Sequence, residues 1–110
     1  MKLLFLVLNK VELLDPILEQ LAGEGITGAT VLSSKGMARV LADYNELSFL
    51  GSLRTVVSPD RQENKTMFMV LSDGKVDTAV HAIEKIVDLS QPDSGILFTV
   101  PVDFQKGATL

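Results

Sequence analysis

The chain has 110 residues, 10 basic against 14 acidic side chains, a net charge of −4, 46% hydrophobic residues and no cysteine. A chain this long can bury a core without a covalent staple, and the lack of cysteine excludes disulfides, thiolate zinc sites, iron–sulfur clusters and a thiol nucleophile. A single histidine and an acidic balance count against histidine metal cages, a histidine-dependent triad and a duplex-DNA surface.

Residues 3–8, Leu-Leu-Phe-Leu-Val-Leu, form a short apolar run closed by Asn9-Lys10. Such a run predicts a sheet strand buried on both faces. It is shorter than the roughly 7–15 residues of a signal-peptide core, and no run approaches the roughly 18 residues of a membrane span. The expectation is a soluble, cytoplasmic protein without membrane insertion. From residue 12 to 24 the period changes: Leu14, Ile17, Leu18, Leu21 and Ala22 make one stripe of an amphipathic helix. Pro16 is tolerated there only in the first turn, and Gly25 is a natural cap at the helix end. Residues 29–34 predict a second strand, ended by Gly36.

Residues 37–64 separate that strand from the next, far beyond the median loop of about 4–6 residues. Within them, residues 47–57 could form a short helix, because Leu50, Leu53 and Val57 have helical spacing, whereas residues 58–64 are polar and turn-rich. Residues 35–65 hold Lys35, Arg39, Arg54, Arg61 and Lys65 against Asp43, Glu46, Asp60 and Glu63, a local charge of +1 on a body of −5. A segment less acidic than its body is a weak pointer to an anion or an acidic partner surface.

Residues 65–72 predict a third strand, and Asp73-Gly74 can cap the element that follows. Val76, Ala79, Val80, Ile83 and Val87 form a second amphipathic stripe, with His81 beside it as a solvated residue. Residues 92–95 read as loop and residues 96–102 as a last strand. The fold class is therefore α+β: a ferredoxin-like βαββαβ arrangement with an antiparallel four-stranded sheet, a long loop insert between strands 2 and 3, and one domain over residues 1–110. In that arrangement both helices cover one face of the sheet. Here both phases are apolar: Leu3, Phe5 and Val7 against Leu4, Leu6 and Leu8 in the first strand, and Phe68 and Val70 against Met67, Met69 and Leu71 in the third. A bare apolar face would exceed the few hundred Å² that monomers tolerate, which predicts an oligomer.

No catalytic constellation stands out. Asp73 with Asp77 and Glu84 with Asp88 are i, i+4 neighbours on wet helix faces, and Asp60 with Glu63 makes too small a donor set for a metal. No catalytic residue, no metal site and no enzyme activity is expected. The glycines are more informative: Gly25, Gly28, Gly36 and Gly95 lie at element junctions, where glycine permits close backbone approach to a ligand. The dinucleotide and Walker A fingerprints are absent.

Three stretches, Gly25-Ile-Thr-Gly-Ala-Thr-Val31, Ser34-Lys-Gly-Met-Ala-Arg39 and Gly95-Ile-Leu-Phe-Thr-Val-Pro-Val102, resemble the PII nitrogen-regulatory signalling proteins and their PII-like relatives. The resemblance implies a ferredoxin-like subunit, a homotrimer whose sheets line its core, and adenine-nucleotide clefts between subunits. It implies that Leu8, Thr30, Gly36 and Gly95 line the adenosine pocket, with Arg39 near the phosphates. It also implies that residues 37–64, the counterpart of the family's T-loop, contact a partner protein, with Tyr44, Phe49, Arg54 and Arg61 as candidate contacts. Departures accompany it: Ala38 and Val40 stand where the family has glycine and glutamine, Ile96 replaces a phosphate-binding lysine, and residues 103–110 replace a basic strand. Lost phosphate cations weaken charge-assisted binding. The expected effector is an adenine nucleotide with few phosphates. Two alternatives remain open: a ferredoxin-like trimer or small enzyme with a small-molecule or metal site at its interface, and an assembly surface built from Leu47, Phe49, Leu50, Leu53, Val56 and Val57.

Overall fold

The structure is a computed structural model that describes residues 1–42 and 63–110. Strand β1 (Lys2–Leu8) leads through a 3-10 turn (Val11–Leu13) into helix α1 (Leu14–Gly23), followed by β2 (Thr30–Ser34) and the short helix α2 (Met37–Ala42). Strand β3 (Asn64–Leu71), helix α3 (Asp73–Glu84) and β4 (Gly95–Pro101) complete the described chain. The four strands form one antiparallel sheet in the order β2-β3-β1-β4, so the expected α+β class with a four-stranded antiparallel sheet is what the chain adopts. The expected helix over residues 47–57 and the candidate contacts Tyr44, Phe49, Arg54 and Arg61 lie outside the described residues.

Side chains alternate across a strand, and β1 shows the consequence. Leu4, Leu6 and Leu8 are buried with Met67, Met69 and Leu71 of β3 on one face. There Ile17 and Leu21 of α1 and Ala79, Ala82 and Ile83 of α3 close over them, and the two helices touch each other. Each large apolar side chain buried there contributes about 1.5–3 kcal/mol. On the opposite face Phe5 stacks on Phe98 (5.2 Å between ring centroids) and meets Phe68 at a tilt (5.8 Å). That face stays open: Ile96 is 57% exposed, Phe98 42% and Leu32 51%. The continuous apolar run of β1 is therefore fully buried on one face only.

The helices depart from the sequence reading in detail. Ala22, assigned to the apolar stripe, is exposed, whereas Leu21 beside it is buried. The N-cap of α3 is Ser72, in extended conformation, and Asp73 is the first helical residue, bonded to the Met1 ammonium at 2.9 Å instead of capping. The helix stops at Glu84, yet Val87 still reaches the core from the turn beyond. Helix α2 falls where only loop was expected. It begins as the Val40 amide donates to the Gly36 carbonyl at 3.1 Å.

Gly25 closes α1 as the spacing predicts. Its φ is +78°, its amide donates to Ala22 O, and the Ile26 amide donates to Leu21 O, both at 2.9 Å. This pair of bonds satisfies the last carbonyls and tucks Ile26 against the core beside Leu21. Replacing Gly25 with alanine should cost about 1–2 kcal/mol, the penalty of a left-handed conformation for a residue with a Cβ. Urea denaturation should show a lower midpoint at unchanged slope.

Candidate functional site

At one end of the sheet, β1 and β2 finish where β3 and β4 begin. Leu8 closes β1 opposite Gly95 of β4 and Lys65 of β3. Gly36 follows β2, and a Cβ on it would meet Asn64 Nδ2 at 3.7 Å. Arg39, half-buried and already engaged in contacts, stands on α2 just beyond. Of the expected ligand residues, Leu8, Gly36, Arg39 and Gly95 thus belong to this end. Thr30 does not: it pairs with Phe68, four residues before Ser34 and roughly 13 Å back along β2 at about 3.3 Å per residue.

The set is also divided across the sheet. Gly36 leaves the β2 edge and Gly95 opens the β4 edge, with β3 and β1 between them. Three strand spacings amount to roughly 14 Å. One chain therefore does not bring the expected ligand residues together in one pocket. Leu8, 1% exposed, has its side chain in the core and can offer a ligand only backbone.

Gly95 has a structural requirement of its own. Its φ is +150°, and a Cβ there would collide with the Val7 carbonyl oxygen and lie 3.3 Å from Leu8 Cα. The turn before it is tightly held: Asp93 takes φ +58°, buried Ser94 donates from Oγ to Gln91 O at 2.7 Å, and the Asn9 amide donates to Ser94 O at 3.0 Å. Upstream, the Asp88 carboxylate accepts from Ser90 Oγ at 2.6 Å, from the Ser90 amide at 3.0 Å and from Gln91 Nε2 at 3.4 Å. These bonds, the Ser90 hydroxyl first, hold the Asp88 carboxyl below the usual carboxylate range.

A polar group absent from the sequence reading occupies the same end. Ser34 Oγ bonds the Asn64 side chain and lies 2.7 Å from Thr66 Oγ1, and Asn64 Nδ2 donates to Asn9 Oδ1 at 3.4 Å. Lys65 Nζ donates to Ser33 Oγ at 2.7 Å and pairs with Glu63 at 3.3 Å. The available signal was Asn64 and Thr66 two residues apart, a polar start to one phase of an otherwise apolar strand.

The loop over residues 25–30, marked by its glycines and threonines, borders a different concavity. An open cleft of ≈ 390 Å³ lies between Thr30, Phe68, Val70 and residues 108–110. A smaller hollow of ≈ 130 Å³ adjoins it beside Gly25, Thr27 and Lys75. Composition gave no hint that residues 108–110 fold back to these strands. His81 is exposed on α3, and among the described residues no group of three or more His, Asp or Glu could hold a metal ion. No helix among them is long and apolar enough to cross a membrane.

Compared with known proteins, the chain matches no family model and no curated protein.

Two outcomes follow from the turn. Gly95→Ala should destabilise the fold by roughly 2–6 kcal/mol without any ligand, combining a strained φ with an overpacked contact at about 1–3 each; thermal or urea unfolding of the free protein checks this. Because the folded Asp88 pKa is depressed, its turn is stabilised above the ordinary carboxylate value of about 3.9 and loses that support as pH falls through the lowered one. A carbon-detected NMR titration should place Asp88 below that value, and Ser90→Ala should return it upward.

Proposed function

We propose that this chain is a PII-like signalling subunit with ferredoxin-like topology. In this reading it assembles as a cytoplasmic homotrimer, binds an adenine nucleotide with few phosphates between subunits, and regulates a partner protein through residues 37–64. It acts by binding and needs no covalent chemistry. The observation that carries the proposal is the division of the expected ligand residues between opposite sheet edges. A ligand that touches both the Gly36 edge and the Gly95 edge must sit between two copies. The chain order of the elements and the strand order β2-β3-β1-β4 support the ferredoxin-like arrangement.

The open sheet face supports assembly. Phe5, Phe98, Ile96 and Leu32 share a face that no element of the described chain fully covers. Second copies packed there would remove it from water, at about 25 cal/mol for each Å² of apolar surface buried. The departures from the PII pattern define the ligand. Ile96 presents an exposed apolar side chain in place of a lysine, and Arg39 keeps a cation near the expected phosphate position. Gly36 also provides the route to the partner-binding segment, because its carbonyl accepts the Val40 amide that starts α2. A ligand held on the Gly36 backbone biases the first turn of α2, and with it the chain entering the insert, as a shift between pre-existing populations.

Light scattering coupled to size exclusion should give the mass of three chains, and calorimetry against ATP, ADP, AMP, cyclic AMP and cyclic di-AMP should show binding of at least one. A stable monomer would overturn the assembly reading. No heat with any of the five would overturn the adenine-nucleotide reading.

A further inference from the structure

The Gly36 edge and the Gly95 edge are linked inside the chain by two sets of hydrogen bonds that meet at Asn9. Ser34 has one hydroxyl proton and gives it to Asn64 Oδ1, so across 2.7 Å it is Thr66 that donates to Ser34. Asn64 passes the direction on: its carbonyl accepts from Ser34 while its amide donates to Asn9 Oδ1. The Asn9 main-chain amide donates to Ser94 O, and Ser94 Oγ donates to Gln91 O. Every donor in the series points the same way, from β3 and β2 through the end of β1 to the turn that opens β4. In the side-chain part, from Thr66 through Ser34 and Asn64 to Asn9, the Ser34 hydroxyl and the Asn64 amide each accept and donate, so those bonds polarise one another. Beyond it the link passes through the Asn9 and Ser94 residues themselves, between side chain and main chain.

We propose that Asn64 is a positioning residue that couples the Gly36 edge to the Gly95 edge, so that what is bound at one edge alters the turn at the other. Asn64 suits the task because one planar amide both accepts on the β2 side and donates on the β1 side, whereas a hydroxyl at this position would be too short to span them. Ser34, which precedes Gly36 at the end of β2, bonds the Asn64 side chain, so movement of the chain leaving β2 reaches the Asn64 amide through that bond. At the far end, Gly95 is seated against Val7 and Leu8 with no room to spare, so a change in the Ser94 carbonyl is passed to the start of β4. The regulatory meaning of this coupling, between neighbouring ligand sites in an assembly, rests on the ligand reading above; the coupling itself does not.

The test is amide hydrogen exchange by NMR on the full chain without nucleotide, for Ser34→Ala, Ser34→Thr and Asn64→Ala. Ser34→Ala should lower protection of the Asn9 amide roughly threefold to tenfold, the range that one net hydrogen bond carries. Ser34→Thr, which keeps the hydroxyl, should restore it. The Val102 amide, bonded to Met1 O at 3.1 Å at the opposite end of the sheet, should be unchanged. Changes confined to β2 and β3 with Asn9 unmoved would overturn the proposal, as would equal losses at Asn9 and Val102, which mark general loosening. If Asn64→Ala fails to fold, the Ser34 pair decides alone. Calorimetry with the same five adenine nucleotides on the same proteins separates the two readings: absence of binding of every one of them to the unaltered chain defeats the ligand reading and leaves the exchange result to judge the coupling.

Discussion

The structure depends on one constraint: β1 is apolar in both phases and sits between β3 and β4 at the centre of the sheet. Its leucines at 4, 6 and 8 form the floor on which α1 and α3 close, so both helices must lie on one face. That leaves Leu3, Phe5 and Val7 on the other face with the phenylalanines of β3 and β4 beside them. A central strand polar in one phase would need no partner. This one creates an apolar face that the described residues do not fully cover, and the assembly reading grows from that excess.

The same geometry explains why the expected ligand residues do not converge within one chain. A strand order that places β2 and β4 on opposite edges necessarily parts Gly36 from Gly95. What lies between them at that end is a set of polar side chains, in contrast to the apolar rows elsewhere on the sheet. The Ser34, Asn64, Thr66 and Asn9 network makes the end of the sheet at the base of the insert a hydrogen-bonded band. Gly95 illustrates two requirements at one position. Close backbone packing against Val7 alone demands glycine, so its presence in a PII-like stretch is explained by the fold whether or not a ligand approaches it.

Much was legible in the sequence because period and punctuation are local. The 3.6-residue stripe of Ile17 and Leu21, the helix-ending Gly25 and the apolar strands each follow from neighbours within a few residues. Details failed where a longer-range contact decided. Ala22 lies within the expected stripe but is exposed, and Asp73 is drawn to the Met1 ammonium instead of capping α3. Helix α2 has six residues and no strong stripe of its own, so its pattern was too short to read.

Sequence alone therefore determined the four strands, the two longer helices, their order and the existence of a second apolar phase in β1, because each is written in side-chain spacing along a single segment. Tertiary structure decided which strands are neighbours, which expected ligand residues share an end of the sheet, and how residues 108–110 return to β3. Those relations depend on pairing between segments far apart in the chain, and register across a sheet is set by the combined burial of many side chains, which no single segment encodes.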